Sequence, residues 1–75
     1  MWQTVKIDVN GKKYTAYIKQ YDEGSKYGIG GGRISKLQLK DENGKTVVNY
    51  DRGWDIRPET IQEEAAVETI LRGWN

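Results

Sequence analysis

The sequence predicts an α+β fold in which a four-stranded antiparallel sheet carries one C-terminal helix on one face (ββββα). Two segments with alternating polar and apolar residues, each interrupted by an Asn-Gly pair, predict the sheet. Apolar residues at helical spacing after a capping sequence predict the helix. A chain of 75 residues suffices for one small hydrophobic core and not for two. Residues 1–75 are therefore predicted to form a single domain.

The first hairpin is predicted from strands over residues 2–9 and 12–20, joined at Asn10-Gly11. Asn-Gly tolerates the positive φ angles that both central residues of a type I′ turn require. A two-residue loop places Ile7 opposite Tyr14, so the apolar side chains of both strands share one face.

The second hairpin is predicted from strands over residues 34–41 and 45–51, joined at Asn43-Gly44. The same two-residue loop again places the apolar side chains on one face. It also places Glu42 opposite Lys45, which would form a favourable cross-strand ion pair.

The helix is predicted over residues 60–73. Thr60 and Glu63 have the spacing of a capping box, and Gly73 is placed to end the helix in a left-handed conformation. Sheet and helix each have one apolar face and are expected to cover each other. The predicted core is Val5, Ile7, Val9, Tyr14, Ala16, Ile18, Leu37, Leu39, Val48, Tyr50, Ala66, Val67, Ile70, Leu71 and Trp74.

Composition excludes several function classes. The sequence contains no cysteine, no histidine and no apolar stretch of membrane-spanning length. These absences exclude disulfide scaffolds, zinc fingers, thiol catalysts and imidazole bases, and we expect a non-enzymatic protein without catalytic residues, cofactor, metal or membrane partner. The first residues show no basic segment followed by an apolar one, so a cytoplasmic location is expected.

Charge is unevenly distributed along the chain. The net charge is +1, but residues 1–50 carry a net +4 and residues 51–75 a net −3. The near balance gives little support for attraction of the whole molecule to nucleic acid or membrane. The predicted helix and the segment before it would instead form an acidic surface that resembles nucleic acid in charge. Its acids are Asp55, Glu59, Glu63, Glu64 and Glu68.

Residues 21–33 are predicted to form a glycine-rich loop, and its last part reads Tyr-Gly-Ile-Gly-Gly-Gly-Arg. Three interpretations are open: a flexible connection with a bulge at the next strand, a partner-binding loop and a phosphate-binding loop. The phosphate interpretation lacks a matching template, because the third glycine of the dinucleotide pattern would fall on Arg33 and no helix follows.

Residues 50–55 combine aromatic, basic and acidic side chains. Asp51 and Asp55 are candidates for acid-base chemistry or for metal binding if they converge. In the structural alternative, Trp54 covers an edge of the core and Arg52 pairs with a neighbouring acid.

The sheet face away from the helix, which we call the outer face, is rich in lysine. Alternation assigns to it Trp2, Thr4, Lys6, Asp8, Lys13, Thr15, Tyr17, Lys19, Ile34, Lys36, Gln38, Lys40, Val47 and Asn49. Such a face is typical of a solvated surface, of a protein-binding or dimer interface, or of a single-strand nucleic-acid binder.

The segments Ser25–Leu37 and Asn49–Asp55 resemble a family of small uncharacterised single-domain proteins from phages, prophages and mobile elements of Gram-positive bacteria. The resemblance implies an accessory protein of a mobile genome, a class that includes inhibitors of host defence such as anti-CRISPR proteins. It implies no activity for particular residues.

We therefore predict a small binding module that acts through protein–protein contact, with single-stranded nucleic-acid binding as the alternative and a homodimer as a further expectation. The predicted contact residues are Trp2, Lys6, Tyr17, Lys19 and Lys36 on the outer face and Tyr27, Arg33 and Trp54 in loops.

Overall fold

A computed structural model describes residues 2–75. Five strands form one antiparallel sheet in the order β1-β2-β3-β4-β5, and one helix packs on one of its faces. The elements are β1 (Trp2–Val9), β2 (Lys12–Gln20), a short 3-10 turn (Ile29–Gly31), β3 (Ile34–Lys40), β4 (Thr46–Asp51), β5 (Trp54–Ile56) and α1 (Ile61–Trp74). The α+β class and the C-terminal helix are confirmed, whereas the predicted number of strands is wrong by one.

The additional strand β5 follows a tight reversal. Arg52 adopts a positive φ of 57°, and the Asp51 amide donates a hydrogen bond of 2.9 Å to the Gly53 carbonyl. The chain thus turns back at once, and Trp54 pairs with Tyr50. Three residues are too few to show period-two alternation, so this strand has no pattern of its own in the sequence.

The first hairpin has the predicted geometry. Asn10 and Gly11 have φ angles of 52° and 88°, as a type I′ turn requires. Ile7 pairs with Tyr14 in register, and the Asp8 carboxylate accepts a 2.7 Å hydrogen bond from the Gly11 amide.

The second hairpin uses a different turn. Of the Asn43-Gly44 pair only Gly44 has a positive φ, 81°, and its amide donates to the Asp41 carbonyl at 3.1 Å. This is a type I turn followed by a glycine bulge. The Asp41 side chain stabilises it by accepting from the amides of Asn43 and Lys45. Lys45 consequently lies opposite Asp41, and the predicted pairing of Glu42 with Lys45 is wrong.

Helix α1 begins with the predicted capping box. The Glu63 amide donates to the Thr60 hydroxyl at 3.0 Å, and the Glu63 carboxylate accepts from the Thr60 amide. Glu63 is buried in this role, so it does not belong to the exposed acidic surface. Gly73 lies inside the helix without a positive φ, and Asn75 forms the C-cap, so the predicted glycine stop is wrong.

The core lies between the sheet and α1 and contains the predicted residues, with Val5, Val9, Leu71 and Trp74 only partly buried. Two bulges change the predicted alternation at the margins. Lys19 pairs with Lys36 and Gln20 with Ile34, so Ser35 is an extra residue in β3, and this bulge places Ile34 in the core. Val47 is an extra residue in β4 beside Leu39, and this second bulge lets Val47 pack against the core. The assignment of Ile34 and Val47 to the outer face is therefore wrong, because an extra residue in a strand restarts its alternation.

Candidate binding surface

The outer face is formed by side chains that alternate with the buried core residues. The cross-strand register shows which residues belong to the outer face, and it adds Asp51 at the end of β4 to those expected from the sequence. The residues are Trp2, Thr4, Lys6 and Asp8 of β1, Lys13, Thr15, Tyr17 and Lys19 of β2, Lys36, Gln38 and Lys40 of β3, and Asn49 and Asp51 of β4. These residues include five lysines and two aspartates, and Asp55 of β5 adds a third carboxylate by accepting from the Asn49 side chain.

One row of paired residues crosses four strands and carries three charges and an indole. Trp2 pairs with Lys19, Lys19 with Lys36, and Lys36 with Asp51. Lys36 Nζ lies 3.8 Å from Asp51 Oδ1, with both side chains partly exposed, so the ion pair contributes little to stability. Lys19 lies between another lysine and Trp2, which is 52% exposed. This end of the outer face therefore combines unbalanced positive charge with an exposed aromatic ring.

The neighbouring row is centred on Tyr17. Thr4 and Gln38 pair with Tyr17 on its two sides. The Tyr17 side chain is half-buried, and Lys40 Nζ lies 5.7 Å from its ring centroid, within the range of a cation–π contact. Trp2 is a diagonal cross-strand neighbour of Tyr17, so both rings lie on the same part of the outer face.

The far end of the outer face is of mixed charge. Lys6 pairs with Thr15 and donates to its hydroxyl at 3.2 Å, and Asp8 pairs with Lys13. The Lys13 amide donates to the Glu42 carboxylate at 3.0 Å, which brings a further negative charge to this end. Positive charge is consequently concentrated near Lys19 and Lys36.

Five of the eight predicted contact residues are therefore contiguous, and three lie elsewhere. Trp54 packs edge-to-face on the buried ring of Tyr50, with centroids 5.0 Å apart, which places it on the side of α1. The prediction that Trp54 covers an edge of the core is confirmed. Tyr27 is 50% exposed, and its carbonyl accepts from the Tyr50 hydroxyl at 2.9 Å. Arg33 is exposed and donates to the Tyr21 carbonyl across the base of the glycine-rich loop.

The glycine-rich loop is an ordered structure that holds Asn75. The Asn75 amide group donates to the Ile29 carbonyl at 2.9 Å, and its oxygen accepts from the Ile34 amide at 3.0 Å. A Cβ at Gly28 would overlap the Gly32 carbonyl, and one at Gly32 would overlap the Asn75 side chain. Close approach of backbone and side chain therefore explains both glycines. Sequence reasoning missed this contact because no local pattern links Asn75 to the loop.

Several backbone amides of the glycine-rich loop donate to carbonyls within the loop. Gly31 donates to the Gly28 carbonyl, Gly32 to the Ile29 carbonyl, and Gly28 to the Ser25 carbonyl. A phosphate cradle needs such amides to point toward the anion. The described geometry therefore favours a structural role for these glycines.

The two aspartates of residues 50–55 have separate partners. Asp51 lies near Lys36 and 3.6 Å from Arg52 Nε, as the structural alternative predicts for Arg52. Asp55 accepts from the Asn49 side chain at 3.1 Å. Across residues 2–75, no three potential metal ligands form a group, and no helix is both long and apolar enough to cross a bilayer.

Comparisons with known proteins place this arrangement in a family. No curated protein and no solved structure matches the chain. A family model described as a domain of unknown function (DUF7678) matches residues 1–75. The chain therefore belongs to the DUF7678 family.

Proposed function

We propose that the protein is a small non-enzymatic binding module whose outer face contacts the acidic surface of a protein partner. The observation that supports this proposal most strongly is the contiguity of Trp2, Tyr17, Lys19 and Lys36. Tryptophan and tyrosine are enriched among the residues that dominate binding energy at protein interfaces. A Trp–Tyr pair within a lysine-rich face is the best-equipped part of the described surface for such a contact.

The two kinds of side chain have different roles in this proposal. Trp2 and Tyr17 supply apolar area that is desolvated on binding, and truncation of such anchors typically costs about 2 kcal/mol or more. The lysines steer an acidic partner and speed association, and their contribution falls as salt is added.

Quantitative affinity capture with matched variants tests the proposal. A tagged Trp2→Ala/Tyr17→Ala variant is expected to recover at least about tenfold less partner than the wild type, since two anchors are lost. Ile61→Ala is the control, because Ile61 is 81% exposed on α1, away from the outer face. Thermal melting of all three proteins separates lost contact from lost folding. Equal recovery by the wild type and the folded double variant would contradict the proposal.

Single-stranded nucleic-acid binding is a second candidate, favoured by the lysines beside two aromatic rings. Bases would stack on Trp2 and Tyr17 while Lys19 and Lys36 hold phosphates. This function requires affinity for an oligonucleotide that falls steeply with salt, because bound phosphates release counterions. An absence of binding to single-stranded DNA and RNA at low salt would remove this candidate.

We further propose that the protein acts in the cytoplasm of a bacterial host as an accessory protein of a phage or mobile element, where it inhibits a defence system. The resemblance of Ser25–Leu37 and Asn49–Asp55 to mobile-element proteins supports this context. The test is an activity assay of the captured partner, which is expected to lose activity when the wild type is added and to keep it with the double variant.

A further inference from the structure

The two edges of the sheet differ in how they resist pairing with another strand. β5 has three residues and is followed by Pro58, which lacks an amide donor. β1 has eight residues, contains no proline and pairs with β2 without a bulge. Within residues 2–75 no strand covers its other side. β1 therefore presents a long, regular edge.

The turn geometry determines which residues of β1 face that edge. A two-residue type I′ loop is closed by a hydrogen-bonded pair, here Val9 and Lys12. Hydrogen-bonded pairs recur at every second residue, so odd-numbered residues of β1 bond to β2. The backbone amides and carbonyls of Thr4, Lys6 and Asp8 consequently point away from the sheet.

The segment Val5–Val9 is complementary to itself when it runs antiparallel. Its sequence, Val-Lys-Ile-Asp-Val, reads from either end as apolar, charged, apolar, charged, apolar, with opposite charges at the two charged positions. With Ile7 of two copies opposed, each Lys6 lies opposite Asp8 of the second copy. Opposite charges at directly paired positions stabilise a sheet, and like charges destabilise it.

In this register, the paired side chains lie on the same face of the sheet, both on the outer face and on the core side. Lys6 and Asp8 lie on the outer face, so the two ion pairs would form there in exposed positions. Val5 and Val9 are partly buried on the core side, and each would cover the other across the junction. The pairing joins Lys6 to Asp8 through their outward amides and carbonyls, as hydrogen-bonded pairs require.

We propose that the protein forms a two-fold symmetric homodimer by antiparallel pairing of β1 with β1 of a second copy, centred on Ile7. The two five-stranded sheets become one continuous sheet, and the two outer faces become one surface. A shift of the register by two residues would oppose Lys6 to itself, so charge fixes the register. An unrelated strand would meet Lys6 without its aspartate, which makes a second copy the best-matched occupant.

Charge-swap variants test the dimer by sedimentation equilibrium at low ionic strength. Lys6→Asp places two aspartates opposite each other at both ends of the interface, and Asp8→Lys does the same with lysines. Each single variant is expected to raise the dimer dissociation constant at least about tenfold. Lys6→Asp/Asp8→Lys restores both ion pairs and is expected to return to within about threefold of the wild type. A merely structural role of either residue would not produce this rescue.

Hydrogen exchange provides a second measurement, because Asp8 also accepts from the Gly11 amide and its replacement weakens the turn. In the wild type, the amides of Lys6 and Asp8 are expected to exchange more slowly as protein concentration rises through the dissociation constant. In Lys6→Asp, which leaves the turn intact, this dependence is expected to move to at least about tenfold higher protein concentration. The proposal is overturned by a wild type that stays monomeric, by an unchanged constant in Lys6→Asp, or by a double variant as weak as the single ones.

Discussion

The inner and outer faces of the sheet are built from alternate residues of the same strands, yet they differ in what constrains their side chains. On β3, Leu37 and Leu39 are fully buried against the core, while Lys36 and Gln38 beside them remain half-exposed. The inner side chains are fixed by packing on all sides, whereas the outer ones have neighbours only within the sheet. The proposed function thus assigns stability and binding to separate residues, and each is expected to be open to change without the other.

The strongest test of this separation compares the stability of the Leu39→Ala variant with that of the Gln38→Ala variant. Leu39→Ala removes a fully buried side chain and is expected to lower the free energy of unfolding by about 2–5 kcal/mol. Gln38→Ala changes the outer face and is expected to alter it by less than about 0.5 kcal/mol. Chemical denaturation of both variants measures the difference, and similar losses would show that the outer face also holds the fold together.

Gly28→Ala and Gly30→Ala extend the comparison to the glycine-rich loop. A Cβ at Gly28 meets the backbone of Gly32, which has no rotamer through which to move away, so a loss of about 1–3 kcal/mol is expected. Gly30 has open space around it and a φ of 60°, so alanine there is expected to cost about 1 kcal/mol, from backbone strain alone. Melting temperatures rank the two. The reverse order would show that the loop does not close around Gly28 as described.

The fold was predictable where a pattern is local. Period-two alternation places Ile7, Tyr14 and Leu39 in the core, and the capping box places the start of α1. The two Asn-Gly pairs show the limit of local chemistry, because the second forms a bulged turn around the Asp41 carboxylate. A dipeptide alone does not determine the turn when a neighbouring side chain competes for its amides.

Non-local contacts account for what the sequence did not predict. Bulges place Ile34 in the core and Val47 against it, although strict alternation assigns both to the outer face. The contact between Asn75 and the glycine-rich loop joins residues more than 40 positions apart. Within the candidate site, alternation of residues along the strands correctly grouped the five predicted contact residues of the outer face. The chain reversal at Arg52 places Trp54 on the other face of the sheet, the side of α1.

Methyl NMR of the protein with its captured partner tests the central claim most directly, because threonine and isoleucine methyl groups mark separate surfaces. Thr4 and Thr15 lie on the outer face, and Ile61 is exposed on α1. On titration with the partner, the Thr4 and Thr15 methyl signals are expected to shift or broaden while that of Ile61 stays in place. A response of Ile61 with unchanged Thr4 and Thr15 would contradict the assignment of binding to the outer face.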